Sequence, residues 1–146
     1  MFNVTIYTDG ACSGNPGVGG YGAILTCNGK ERIVRGLCSE ITTNNRMELV
    51  AVIEALKALN KPCEVTVCTD SQYICSCAAH DRKWLTNEQR KNNDLWLELI
   101  TTGLKGQHRI KFVKVAGHTG LVMNERCDRI AKEQCVKARH ILHENT

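Results

Sequence analysis

The sequence predicts a single α/β domain over residues 1–146: a five-stranded mixed sheet, three antiparallel strands followed by two parallel ones, with helices packed on its faces. Three observations carry this. The first three β-rich runs follow one another through short turns, as an antiparallel meander requires. After the third run the hydrophobic period changes from two residues to that of a helix. The remaining strand-like runs then alternate with helical segments, which is the pattern of β-α units.

Residues 2 to 9 alternate in part, Val4 and Ile6 against Asn3 and Thr5, and read as the first strand. Residues 20 to 27, 31 to 38, 64 to 69 and 110 to 115 read as the other four. Gly14-Asn15-Pro16-Gly17 supplies turn chemistry between the first two strands, and Asn28-Gly29 is a hairpin signal between the second and third. Leu49, Val52, Ile53 and Leu56 then recur at i, i+3, i+4 and i+7, with Pro62 as the stop beyond them. Glu48, Val52, Ala55 and Leu59 share another part of that helix surface, so Glu48 opens an inward-leaning row while Glu54 and Lys57 lie toward water. The strand at 64 to 69 leads through Asp70-Ser71 into a second helix, with Ser71 as its N-cap. Leu95, Trp96 and Leu99 mark a third, ended by Gly103 or Gly106. The last strand runs into Gly117-His118-Thr119-Gly120, read as a flexible loop carrying an imidazole, and Asn124 is read as the cap of a final helix. In that helix Cys127, Ala131, Cys135 and Ala138 form an apolar stripe bordered by Asp128, and residues from about 140 to 146 are expected to be a disordered tail.

An apolar content of 42% with 23% charged residues suits a globular domain with its own core. No run approaches the roughly 18 apolar residues of a membrane span, and the N-terminus lacks the pattern of an export signal, so a cytoplasmic location is expected. Nine cysteines, an odd number spread through apolar runs, read as reduced core thiols rather than a disulfide framework. Cys75-Ser76-Cys77 with His80 imitates part of a zinc site, but neither half of a paired CxxC pattern is present. The net charge of +4 permits an anionic partner. Arg82, Lys83, Arg90 and Lys91 surround Trp84, and Lys132, Lys137 and Arg139 lie near the C-terminus; both groups suit phosphate neutralisation or simply a solvated face.

Four acids stand out against this frame. Asp9 and Asp70 end two β-rich runs, and Glu48 and Asp128 flank apolar helical stripes, where a carboxylate is costly unless a cation meets it. Singly, each has an ordinary explanation as a turn residue or a first-turn helix acid. Their order and contexts are more specific: Thr8-Asp9-Gly10-Ala11-Cys12-Ser13-Gly14-Asn15-Pro16-Gly17, Thr43-Asn44-Asn45-Arg46-Met47-Glu48-Leu49, Thr69-Asp70-Ser71-Gln72-Tyr73, then Gly117-His118 and Asn124-Glu125-Arg126-Cys127-Asp128. From about residue 2 to about residue 135 this series resembles ribonuclease H type 1 in its bacterial form.

The resemblance implies the ribonuclease H-like fold, with helices on both faces of the sheet. It also implies an endonuclease that hydrolyses the RNA strand of RNA/DNA hybrids to 5′-phosphate and 3′-hydroxyl ends. Its cofactors are Mg²⁺, or Mn²⁺ in its place, as two ions held by Asp9, Glu48, Asp70 and Asp128 when substrate is bound, with Asp9 shared between them. His118 takes an auxiliary part in proton transfer or product departure. Cys12, Asn15, Asn44, Asn45 and Gln72 become candidates for the hybrid's minor groove, Thr43 and Asn92 for a phosphate of the DNA strand, and Trp84 for a further nucleic-acid contact. Asn15 and Asn44 serve equally well as turn and cap residues.

Two departures are visible. The segment between Tyr73 and Asp94 is shorter than in the fuller bacterial form and keeps one tryptophan, and Lys114-Val115-Ala116 replaces a more basic and aromatic stretch; lower, more salt-sensitive hybrid affinity is expected. A monomer is expected. A non-cleaving nucleic-acid-binding domain is the rival from another class, and four complete acid positions argue against it, since a pure binder gains nothing from negative charge where phosphates approach. A transposase or integrase domain fits the Thr-Asp-Gly-Ala and Thr-Asn-Asn-Arg-Met-Glu runs poorly, and a reverse-transcriptase domain is disfavoured by the starting methionine.

Overall fold

A computed structural model describes residues 1–79 and 91–144. Among the described residues the elements are, in order, β1 (Phe2–Cys12), β2 (Gly17–Cys27), β3 (Lys30–Thr42), α1 (Asn44–Lys57), β4 (Cys63–Thr69), α2 (Gln72–Ala79), α3 (Asn93–Lys105), β5 (Arg109–Lys114) and α4 (Gly117–Glu144). The strands form one sheet in the order β3-β2-β1-β4-β5. β1, β2 and β3 pair antiparallel, and β4 joins β1 and β5 in parallel, as the change of hydrophobic period predicts.

Strand parity assigns the two faces. Val4 and Ile6 of β1, with Ala23 and Leu25 of β2, pack beneath Leu49, Val52, Ile53 and Leu56 of α1 and beneath Leu95, Trp96 and Leu99 of α3, forming the main core. Tyr7 and Ile24 point the other way, against Met123, Cys127 and Ile130 of α4, so helices cover both faces. Gly20 lets α4 settle on the sheet, because a Cβ there would stand 2.4 Å from the Cys135 amide nitrogen. The β2–β3 hairpin turns at Asn28 and Gly29, both at positive φ, which is the conformation an Asn-Gly pair tolerates best.

The caps fall largely where the residue types place them. Thr43 Oγ1 accepts from the Arg46 amide at the start of α1, Ser71 Oγ accepts from the Ile74 amide at the start of α2, and Gly106 is the C-cap of α3.

Five expectations need correction. The first three strands outrun their sequence bounds, so Asp9 lies inside β1, paired with Gly22, rather than at its end. Gly117 to Gly120 belong to α4 rather than to a loop: Gly117 takes the start of the helix at positive φ and Gly120 is buried near Val115, so packing overrides weak glycine propensity. Asn124 is therefore inside α4 and not its cap, and α4 continues through Glu144, past the point near 140 where a tail is expected. Cys63, Cys127 and Cys135 are buried and the other six cysteines are half-buried, so only part of the set is core. His80, Arg82, Lys83, Trp84 and Arg90 lie outside the described residues. Among the described residues no helix is long and apolar enough to cross a membrane.

Candidate active site

β1 pairs with β4 only as far as Tyr7↔Cys68, so Asp9 stands two residues beyond the end of the parallel ladder. Asp70 directly follows the last residue of β4, which brings it to the same end of the sheet. The first turns of α1 reach this place because residue 10 is glycine: a Cβ on Gly10 would lie 2.5 Å from the Glu48 amide nitrogen and 2.6 Å from the Met47 carbonyl carbon. Asp9, Glu48 and Asp70 each thereby offer a carboxylate oxygen, all within 4.8 Å of one another.

The electrostatics follow from burial. Asp9 is 6% exposed and Glu48 8% exposed, whereas Asp70 is open to solvent. Desolvation, opposed by hydrogen bonding to Glu48 and reinforced by the charges of Asp70 and Asp128, pushes Asp9 up to about 6. Desolvation and the proximity of Asp9 push Glu48 up to about 10. The Asp9 Oδ1 accepts from the Gly10 amide at 2.9 Å, but Glu48 Oε2 is buried with no hydrogen-bond partner. An orphaned carboxylate oxygen beside two further carboxylates is a donor set suited to a hard divalent cation, which takes oxygen ligands and offsets the repulsion among them. The residues therefore fit the metal that the sequence resemblance implies.

Asp128 is not among the three that converge. It sits on α4 with its Oδ2 2.9 Å from Lys132 Nζ, and it shares with Glu48 a cleft of about 570 Å³, whose lining also includes Cys12, Asn44, Lys132 and Arg139. His118 is exposed at the start of α4. Two residues at the site carry roles that the sequence reading did not assign. Asn124 Nδ2 donates to Asp70 Oδ2 at 3.4 Å, and Lys114 Nζ donates to Gln72 Oε1 at 2.9 Å. Helical spacing places Asn124 four residues before Asp128 and Lys132 four after it, a signal that they share a face; the Lys132 pair is within the helix, whereas the contact of Asn124 with Asp70 depends on the packing of α4.

The remaining candidates divide into two neighbouring groups. Asn15 Oδ1 accepts from the Asn44 amide at 3.0 Å, and Cys12 Sγ donates to the carbonyls of Gly17 and Thr42, so the β1–β2 turn is tied to the start of α1, where Asn44 and Asn45 are exposed. Asn15 thus serves as a turn and cap residue in the free protein. Thr43 and Asn92 are bridged by Arg46, whose amide bonds Thr43 and whose Nη1 bonds Asn92 Oδ1 at 3.2 Å while the guanidinium pairs with Asp94. Asn92 itself stands at φ 69 and donates to Tyr73 Oη, which also accepts from Trp96 Nε1. Gln72 is exposed and donates to Ser76 Oγ. Burial pushes the Cys127 thiol up to about 12, which keeps this residue, next to Asp128, an unreactive packing group.

The mixed sheet carries at one end three carboxylates that could hold a hard cation, a set suited to a metal-assisted hydrolase. Comparison with known proteins gives the family. The RNase H family profile matches residues 2–136. The chain is 48% identical to the ribonuclease H of Nitratidesulfovibrio vulgaris (strain DP4) over 145 residues, covering 92% of this chain and 90% of that protein. It is also 48% identical to the ribonuclease H of Caldicellulosiruptor saccharolyticus, covering 95% and 100%. Among solved structures, the crystal structure of LC11-RNase H1 in complex with RNA/DNA hybrid superposes with a TM-score of 0.75 at 25% identity, covering 93% of this chain and 99% of that one. The N-terminal RNase H domain of rv2228c from Mycobacterium tuberculosis shares the fold at 22% identity, with a TM-score of 0.76 over 96% and 98% of the two chains. The chain belongs to the ribonuclease H family, type 1, and is a nuclease of the hydrolase class.

Proposed function

We propose that this protein is an endoribonuclease that hydrolyses the RNA strand of RNA/DNA hybrids, leaving 5′-phosphate and 3′-hydroxyl ends. The observation that carries the reading is the convergence of Asp9, Glu48 and Asp70 within 4.8 Å, with Glu48 Oε2 unpartnered, in a chain of this family. The RNA/DNA hybrid in complex with LC11-RNase H1 supports the substrate class.

Asp9, Glu48, Asp70 and Asp128 are the residues that would hold two ions of Mg²⁺, or Mn²⁺ in its place. Bound divalent cations supply Lewis-acid polarisation of the phosphate, a more acidic water and charge neutralisation at the leaving oxygen. The protein's own share is positional. Asp9 is buried and braced by the Gly10 amide, and Glu48 is buried with one oxygen uncommitted, so both present ligand atoms without a search through rotamers. Asp70 is exposed and accepts from Asn124, which leaves it accessible to an approaching duplex. His118, exposed on the first turn of α4, is the candidate for the auxiliary part in proton transfer or product departure.

For the hybrid, Cys12, Asn15, Asn44, Asn45 and Gln72 form the region assigned to the minor groove, where 2′-hydroxyls distinguish RNA from DNA. Thr43 and Asn92, joined by Arg46, form the region assigned to a DNA-strand phosphate, and the guanidinium adds the charge such a contact uses. Trp84, assigned to the same duplex, lies outside the described residues. The protein is read as cytoplasmic and as a monomer, and sedimentation of the purified chain checks the second of these.

The test is cleavage of a labelled RNA/DNA hybrid beside RNA/RNA and single-stranded RNA, with Mg²⁺, with Mn²⁺ and with chelator. Metal-dependent cutting of the hybrid alone is expected. Binding of the hybrid with no cutting under either metal would instead make this a binding domain.

A further inference from the structure

Asp128 is the acid that the fold leaves apart. Asp9, Glu48 and Asp70 converge, while Asp128 Oδ2 meets Lys132 Nζ at 2.9 Å across one turn of α4. The pair has the acid N-terminal to the base at i, i+4, the favourable orientation on a helix. Both side chains line the cleft that Glu48 also lines.

We propose that Lys132 is a positioning residue, whose ammonium occupies Asp128 and keeps it from the three converged carboxylates until a divalent cation recruits it. A fourth acid added to three would raise the repulsion among them, and an ammonium at 2.9 Å offsets that while no stronger cation is present. The side chains of Lys132 and Asp128 are 68% and 41% exposed, so the pair is weak and readily exchanged, as a group that must be handed over needs to be. Recruitment of Asp128 then frees a positive charge in a cleft that Arg139 also lines. This inference rests on the reading of Asp128 as a metal ligand.

The experiment is a Mn²⁺ titration without nucleic acid, reading free Mn²⁺ by electron paramagnetic resonance, on the wild type, Lys132→Met, Lys132→Arg, Asp128→Asn and the double variant Lys132→Met/Asp128→Asn. Removing the competing ammonium should tighten Mn²⁺ binding about two- to threefold, the scale of an exposed i, i+4 pair. Lys132→Arg should bind as the wild type does. In the Asp128→Asn background, loss of Lys132 should change nothing, whereas a long-range field effect would survive there. Equal or weaker binding in Lys132→Met, or the same tightening with and without Asp128, overturns the proposal. Asp9→Asn separates the two levels: if it binds Mn²⁺ as the wild type does, the metal reading falls and this inference with it. If it loses Mn²⁺ while Lys132→Met is unchanged, only the role of Lys132 falls.

Discussion

Replacing Asp9 by Asn should make the metal-free protein more stable at neutral pH. Asp9 is lifted from its ordinary 3.8 to about 6 by desolvation and by the neighbouring acids. The fold therefore binds more protons than the open chain between those values, and its stability falls as pH rises from about 4 to about 6, the deficit persisting above. A difference of about two units at roughly 1.4 kcal/mol each sets a ceiling near 3 kcal/mol. Asn cannot ionise, yet its Oδ1 can keep the Gly10 amide at the position where Asp9 accepts it. The variant should gain about 1–3 kcal/mol at pH 8 in chelator, or some 3–10 °C in Tm for a chain of this size. Glu31 and Asp94, held below their ordinary values by hydrogen bonds to Arg126 and Arg46, titrate with the opposite sign. The readout is accordingly the difference between variant and wild type in urea unfolding from pH 4 to pH 8. Added Mn²⁺ should reverse the order, because a ligand bound only by the folded form stabilises it by mass action and the variant has lost a ligand. A variant no more stable than wild type at pH 8 in chelator, or a difference that does not grow between pH 4 and pH 6, would refute the reasoning. The same variant should lose hybrid cleavage while retaining hybrid binding.

Other outcomes follow from the same geometry. Gly10→Ala places a Cβ 2.5 Å from the Glu48 amide nitrogen, so it should cost about 1–3 kcal/mol in urea unfolding and lower kcat by moving Glu48; unchanged kcat would show that the close approach is not required. Arg46→Ala breaks a pair whose partners are 34% and 65% exposed, so stability should change by less than about 1 kcal/mol. Its KM for hybrid should rise several-fold with a shallower salt dependence, and an unaltered salt slope would remove Arg46 from the phosphate region. His118→Ala should lower kcat by about a hundredfold without abolishing cleavage, measured at steady state with hybrid in excess; complete loss, or none, would be incompatible with an auxiliary role.

Much of the architecture was legible because its signals are local. Alternation in β1, the Asn28-Gly29 turn, the i, i+3, i+4, i+7 row of α1 and the Ser71 cap each depend on a few neighbouring residues, and each appears in the structure. The start of α4 was not legible for the same reason: Gly117 and Gly120 argue locally against helix, and only the packing of this segment overrides them. The cysteines divide between core and partly open positions because apolar neighbours in sequence do not say which face of a sheet a helix will cover.

Local patterns carried the ingredients: a mixed sheet, four acids in ordered motifs, an inward-leaning Glu48, and Lys132 one helical turn after Asp128. It is long-range packing that makes Asp9, Glu48 and Asp70 meet and leaves Asp128 outside their cluster. The meeting depends on β1 running past the end of its ladder with β4 and on α1 approaching the bare backbone of Gly10. Both are contacts between residues far apart in the chain, and no local preference of either partner encodes the few ångströms that separate a metal site from three unrelated carboxylates.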